Sequence, residues 1–404
     1  MKLQMHRLQA LFASLLIAGC GGGSGGEAPT AGAPPPAPAP APTPAPTPAP
    51  APAPAPGPSP AIASCPVFPE TAIFNQRIDD ASRFPVHAQS AAWVASIGGT
   101  RRFHADWGRN DDPSQWQDYY GIPYNVVDGT AATTSWPTVS FDITDPRAGN
   151  GDGVPEESDC AAPAAGGGHE IWRDCTTLAP ADRRFPYPLD ANLLAEYGAC
   201  NDAQVCGDRH VLVVEQGSCR LWESYFSYKV DGRWYAYSTA AWDMRSLQLR
   251  PDTWTSGDAA GLPILPLLAR VDEASAGEVR HALRVTFRDG VLARSHVWPA
   301  RHRAGGDTPG GIPFGALLRL RADVTVPDSW TPQARALARA MQRYGLYVAD
   351  IGTDLYVQGE PSAAWSDATI SQLQTLRMDQ FEFVDTSAVT SDPRFDAGSM
   401  AGAW

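Results

Sequence analysis

Residues 221–242, LWESYFSYKVDGRWYAYSTAAW, decide how the folded part of this chain is read. Asp231-Gly232 is the signal for a two-residue type I′ turn, whose central positions need positive φ. Aromatic and small residues with strong strand preference flank it, so 221–230 and 233–242 read as the arms of a β-hairpin. Outward from that hairpin, 210–215, 278–287, 292–298 and 317–326 read as further strands. Residues 122–127 and 138–143 are strands before it, and 91–97 is a short helix. The last 75 or so residues are mixed. The spacing of Leu337, Met341 and Tyr344 predicts a helix over 332–344, with Thr331 as N-cap, Pro332 in the first turn and Gly345 past its end. Ser366 can cap a second helix to about residue 376, between short strands at 356–358 and 381–384. The expected fold is mainly β with a smaller α part: an antiparallel β-sandwich or distorted barrel with two C-terminal helices on one side.

The N-terminus has another character. Lys2 and Arg7 precede an apolar stretch at 8–17, which suits a signal peptide and is too short to span a bilayer. Ile17-Ala18-Gly19-Cys20 follows and resembles the lipobox of bacterial lipoproteins, with Ile where that family usually has Leu. The resemblance implies cleavage after residue 19 and lipidation of Cys20, several acyl chains on one residue giving a stable membrane anchor. Gly21, rather than Asp, after the cysteine implies the outer membrane by the same resemblance. Residues 20–61 then form a linker: Gly/Ser first, and from about 34 to 60 almost wholly Pro, Ala and Thr. Such a segment favours extended polyproline II at about 3.1 Å per residue, hence a spacer of roughly 80 Å. Residues 62–404 read as a single globular domain.

The chain carries 31 Lys+Arg against 44 Asp+Glu, a net charge of −13, and loss of Lys2 and Arg7 makes the mature form more acidic still. That excludes nucleic acid as an expected partner and argues against a broad electrostatic grip on anionic lipid. Six cysteines follow Cys20. In an exported chain they read as disulfides, with fifteen connectivities open. Local pairing of Cys160 with Cys175 and Cys200 with Cys206 is the simplest, leaving Cys65 with Cys219. Zinc is the competing reading, and no pair has the C-x-x-C spacing that would favour it. Residues of about 145–207 hold four of these cysteines and few periodic apolar runs, and are expected to form a disulfide-stapled insertion.

Phe103-His104-Ala105-Asp106, Tyr120-Gly121-Ile122-Pro123-Tyr124, Glu157-Ser158-Asp159, Asp208-Arg209-His210, Leu221-Trp222-Glu223, Gly261-Leu262-Pro263-Ile264-Leu265-Pro266, His281-Ala282-Leu283-Arg284 and Trp298-Pro299-Ala300-Arg301-His302 carry a second resemblance. Over most of 65–386 the body is similar to a group of secreted proteins of bacteria and fungi. That group has no established activity, so the resemblance implies no mechanism. The cysteine-bearing insertion is longer here than in the group's usual pattern.

No G-x-S-x-G, Walker loop or H-E-x-x-H is present in residues 62–404, so neither a cofactor nor a metal is expected. Glu223 is the most suggestive residue. Trp222, Tyr225, Phe226 and Tyr228 surround it in sequence, and a carboxylate against aromatic surface is desolvated and moved toward the range of a general acid. Asp243 follows the returning arm, and two carboxylates on one aromatic-walled face are what glycoside hydrolysis needs. The ordinary alternative is a structural Glu within a sheet. His281 falls on the apolar face of 279–287, where a satisfied core His is the ordinary alternative, with Arg284 on the other face. Arg301-His302 follow a strand ending in Trp298-Pro299 and suit a cleft rim. With His281 or Tyr225 they would serve a lyase, the Arg neutralising a uronate; a solvated loop pair is the alternative. His104 and Asp106 point the same way from an extended chain and, with Glu157 and Asp159, suit substrate or metal. Asn150-Gly151-Asp152-Gly153 resembles part of a calcium loop, but Ala148 stands where its first ligand should be. The candidate set is therefore Glu223, His281, Arg284, Arg301 and His302 for catalysis, with His104, Asp106, Trp222 and Trp298 binding substrate. With 13 Trp to stack on sugar rings, the expected function is a surface-tethered carbohydrate-active enzyme, a glycoside hydrolase or polysaccharide lyase. The alternative is a non-catalytic glycan-binding or envelope-structural lipoprotein.

Overall fold

The turn at Asp231-Gly232 forms with φ of 49° and 83°, as a type I′ turn demands, but the arms around it are not continuous. In the computed structural model, which describes residues 60–149 and 151–404, Phe226 takes φ 50° and the chain leaves the sheet there. The outgoing arm is two strands, Arg220–Tyr225 and Tyr228–Val230, and the return is Arg233–Tyr235 and Ser238–Asp243. The halves join different sheets. Tyr228–Val230 pairs with Arg233–Tyr235, which in turn runs parallel to Val139–Ser140. Arg220–Tyr225 and Ser238–Asp243 pair from Arg220↔Asp243 to Tyr225↔Ser238 and belong to a four-stranded sheet with Val211–Gln216 and Tyr124–Asp128.

Side-chain alternation across this sheet separates two cores. Leu212, Val214, Leu221, Ala240 and Trp242 enter the main core. Val211, Val213, Trp222 and Ala241 enter a second, with Phe185, Tyr187 and Trp234. Tyr187 and Trp234 stack there with centroids 3.8 Å apart. Much of the second core comes from the cysteine-bearing segment, which is a packed layer rather than a loose excursion. It contains the hairpin Asp159–Pro163/His169–Arg173. The disulfides are Cys160–Cys175, Cys200–Cys206 and Cys65–Cys219, the pairing expected from the sequence. The last ties the start of the body to the four-stranded sheet.

The other large sheet runs Phe381–Phe383, Leu317–Leu320, Leu346–Ile351, Leu283–Phe287, Tyr356–Gln358, His104–Asp106. Its strand Leu283–Phe287 is buried at every position, as a strand covered on both faces must be. Pairing is mixed: Leu283–Phe287 runs parallel to Leu346–Ile351, and Tyr124–Asp128 parallel to Val211–Gln216. The protein is thus mainly β with a smaller α part, in several sheets; among the described residues there are six α-helices and no sheet that closes into a barrel. The two main C-terminal helices are Pro332–Arg343 and Asp367–Leu373. Thr331 Oγ1 caps the first by accepting the Ala334 N–H at 3.2 Å, and Ser366 Oγ caps the second by accepting from Thr369 at 3.1 Å. The two caps are joined through Thr331 and Thr369 hydroxyls 2.7 Å apart, which holds both helices to one side.

The signal peptide, Cys20 and nearly all of the proline-rich linker lie outside the described residues, as does Asn150 of the calcium-like run. No helix among the described residues is long and apolar enough to cross a membrane.

Candidate active site

Glu223 shares the main-core parity of Leu221 on its strand, opposite Leu212 and Ala240. It meets the turn that opens the short helix Leu265–Leu267. Its Oε1 accepts the N–H groups of Ile264 and Leu265, both at 2.9 Å, and Oε2 lies 3.0 Å from the Ile264 nitrogen. The residue is fully buried. Burial pushes its carboxyl up to about 7, against the two amides that favour the anion. The expected rise in proton affinity is present, but the oxygens face backbone amides. Glu223 anchors the segment before Leu265.

That segment carries Asp258. Its Oδ1 accepts the amides of Ala260 and Leu262, each at 3.0 Å, and its Oδ2 meets Arg284 Nη2 at 3.2 Å. Gly261 makes the turn possible: φ is 67°, and a Cβ there would sit 2.6 Å from the Trp254 carbonyl oxygen. Arg284 also reaches Asp350 at 3.5 Å. The guanidinium is completely buried, yet its Nε and Nη1 have no partner. Asp350 is aimed by a bulge in the parallel pairing, where Val285 faces Val348 but Thr286 faces Asp350. Burial raises the Asp350 carboxyl, to about 7; Arg284 opposes this and Asp258 adds to it.

The opposite wall comes from the disulfide-bearing segment. Arg209, itself buried, donates from Nε to the Cys200 carbonyl at 2.8 Å and from Nη1 to Ser227 at 2.7 Å. This clamps the Cys200–Cys206 loop onto the sheet and places the exposed Asp208 over it. The Tyr225 hydroxyl donates to Asp208 Oδ1 at 2.8 Å. Below, His210 lies with Nδ1 2.6 Å from Glu196 and Nε2 2.8 Å from the Gly257 carbonyl. Two acceptors require two ring protons. Burial pulls this imidazole down, but Glu196 more than offsets it and the group is pushed up to about 9.

These walls enclose a pocket of about 370 Å³ whose lining includes Asp208, Tyr225, Tyr237, Asp258, His302 and Asp350. A second acid lies near the same charges: burial raises Asp106 to about 6, against its hydrogen bond from the Tyr120 hydroxyl. His104 stacks on Tyr356 at 3.9 Å and lines a separate groove with Arg101 and Arg102.

Of the residues singled out in the sequence, His302, Tyr225 and Glu157 line the pocket, and Arg284 and Glu223 support its wall. Arg301 is a loop clamp, donating to the carbonyls of Arg250 and Ala397, both at 2.8 Å. His281 lies in another network, between Glu273 and the Ala282 carbonyl, both at 2.8 Å, and the strand begins only at Leu283. Trp222 belongs to the second core and donates to Glu215 at 3.1 Å. Trp298 donates to the Ser399 carbonyl at 2.8 Å and packs on Phe395. Asp243 is exposed at the far end of its strand, opposite Arg220. Asp159 is buried under Arg250 and Arg173, while Glu157 accepts the Thr255 amide at 3.0 Å. Among the described residues there is no group of three or more side chains arranged to hold a metal ion. Asp208, Asp258 and Asp350 were not among the candidate residues. The signals available were the Asp208-Arg209-His210 run and the small-residue turn around Asp258.

Comparison with protein-family models, with curated proteins and with solved structures finds no match.

Proposed function

We propose that this chain is an exported, lipid-anchored enzyme that hydrolyses glycosidic bonds, with Asp350 as proton donor and Asp208 as the second carboxylate. One observation carries the reading: of the four carboxyl groups that line the pocket, Glu157 and Asp258 are taken up by backbone amides, while Asp350 and Asp208 sit in opposite surroundings. Asp350 is half-buried, with 23% of its side chain exposed, beside Arg284 and Asp258, and has a raised proton affinity; Asp208 is exposed and held by Tyr225. Environments that push two acids apart are what divide donor from nucleophile or base. Asp350 gives its proton to the glycosidic oxygen as the C–O bond breaks. Asp208 either attacks the anomeric carbon or takes a proton from the attacking water, and water completes the products. Tyr225, Tyr237 and His302 line the pocket beside them and are the aromatic surface available to a sugar. Glu223, Arg284 and His210 are positioning residues that hold the loop at Asp258 and the charge on Asp350. The three disulfides are in keeping with an oxidising compartment. The lipobox-like run at Cys20 and the proline-rich spacer supply an outer-membrane tether.

The test is reducing-end release from a panel of polysaccharides by the mature protein and by Asp350→Asn and Asp208→Asn. Loss of one acid–base group costs about 10²–10⁴-fold in rate, with melting temperature retained. A folded Asp350→Asn protein with full activity overturns the assignment. Oligosaccharide binding with no reducing ends, from any substrate, supports the glycan-binding alternative. Unsaturated uronate products would indicate lyase chemistry.

A further inference from the structure

Resting on that reading of the pocket, we infer that the sugar next to the cleaved one is acidic, and that Arg294 and Arg303 bind its anionic group. A groove of about 480 Å³ adjoins the pocket and shares His302 with it; Thr253, Asp289, Arg294, Arg303 and Asp307 also line it. One loop lines both cavities, with Ala304 in the first and Gly305-Gly306 in the second. A ligand leaving the pocket past His302 therefore enters this groove.

The arginines are the informative part. Most arginines in this acidic chain are engaged: nearby, Arg301 reaches Asp252 at 3.6 Å and His296 takes the same carboxylate at 3.0 Å. Arg294 and Arg303 make no ion pair or side-chain hydrogen bond with any described residue, although Asp289 and Asp307 share the groove. Asp289 is occupied, its Oδ1 accepting the Gly306 amide at 2.6 Å, and Asp307 is exposed. The loop is also preformed. Gly305 and Gly306 have φ of 55° and 64°, and a Cβ on Gly306 would lie 2.8 Å from the Ala293 carbonyl oxygen. That contact seats the loop bearing Arg303 against Leu292–His296, the strand that carries Arg294. Two unpaired guanidinium groups on a fixed wall suit a carboxylate or sulfate, which each can grip with two parallel N–H donors. A neutral sugar would offer the exposed Arg294 and half-buried Arg303 hydroxyl acceptors but no countercharge.

The experiment is calorimetric titration of the wild-type mature protein and of Asp350→Asn with three probes: trigalacturonate, a sulfated trisaccharide and cellotriose. An acidic probe is expected to bind at least about tenfold more tightly than cellotriose, a difference that shrinks with added salt; the carboxylate and sulfate arms tell which anion is preferred. Arg294→Gln/Arg303→Gln, and Arg294→Gln alone, are expected to remove that preference without changing the melting temperature or cellotriose binding. Equal affinity for neutral and acidic probes, or an unchanged preference in the double variant, overturns the inference. The two readings fail separately. Acid preference without cleavage sinks only the hydrolase, and cleavage by a wild-type protein that binds neutral and acidic probes equally sinks only the acidic subsite.

Discussion

His210 makes the pocket floor depend on pH in a calculable way. Its imidazole rises from 6.5 to about 9 because Glu196, 2.6 Å away, outweighs the burial that opposes its charge. A basic group whose proton affinity is raised on folding adds stability that is fully present below its unfolded value and is lost as pH rises through its folded one. At about 1.4 kcal/mol per tenfold change in proton affinity, the contribution is at most about 3 kcal/mol, falling away between pH 6.5 and about 9. Glu196 keeps 15% side-chain exposure, which lowers that ceiling. The perturbation is Glu196→Gln, an amide of nearly the same shape without the charge. Urea unfolding of the disulfide-intact protein, measured every half unit across this range, is the assay. Wild type should lose most of the contribution across the window. The variant should be less stable at neutral pH by a similar amount and nearly flat above it. Glu223, Glu360 and Asp350 are also raised to about 7 and act in both proteins; Asp350 feels the His210 charge and Asp106 feels Glu196, so the difference between the curves reports this linked group, with the His210–Glu196 pair at its centre. A wild-type curve flat from pH 6.5 to about 9, or a slope surviving in Glu196→Gln, would rule out a stabilising His210–Glu196 pair. Because Nε2 of His210 holds the Gly257 carbonyl next to Asp258, any cleavage activity should decline over the same window.

Asp350, as proton donor with a carboxyl raised to about 7, predicts a basic limb in the pH–rate profile near neutrality that Asp350→Asn removes along with the activity. Cys65–Cys219 spans 154 residues and Cys200–Cys206 only 6. Replacing both cysteines by alanine should therefore cost about 5 kcal/mol in the first pair and about 2 in the second by the chain-entropy model, and denaturant unfolding that reverses the order would contradict it. Arg284→Met leaves Asp258 buried without its cation, a loss of about 3–5 kcal/mol, and adding Asp258→Asn should recover part of it in the same measurement. Cys20→Ser should shift the protein from the membrane fraction to the soluble periplasm or an unprocessed precursor, so unaltered fractionation and processing would remove the lipid anchor.

Local chemistry was legible from the sequence by itself. Asp231-Gly232 carries its turn because the preference for positive φ belongs to those two residues. Thr331 and Ser366 cap their helices because a side-chain oxygen acts on amides three residues away. The raised proton affinity of Glu223 follows from a carboxylate set among apolar neighbours, and the three disulfides follow from short spacings and one remaining pair. What the strands do with those residues was decided only in three dimensions. Phe226 breaks the hairpin into two sheets because the second core, built from distant residues such as Phe185 and Tyr187, takes Trp222 and Trp234. His281 falls outside the strand and is satisfied by Glu273, a partner no periodicity announces. Asp208, Asp258 and Asp350 reach one pocket from a clamped loop, a glycine turn and a bulged strand end. Each is held there by a group remote in sequence: Tyr225 for the first and Arg284 for the other two. Backbone preference and hydrophobic period act over a few residues and reveal elements. A pocket is formed where the ends of several elements meet, so its chemistry depends on long-range contacts that the sequence carries only implicitly.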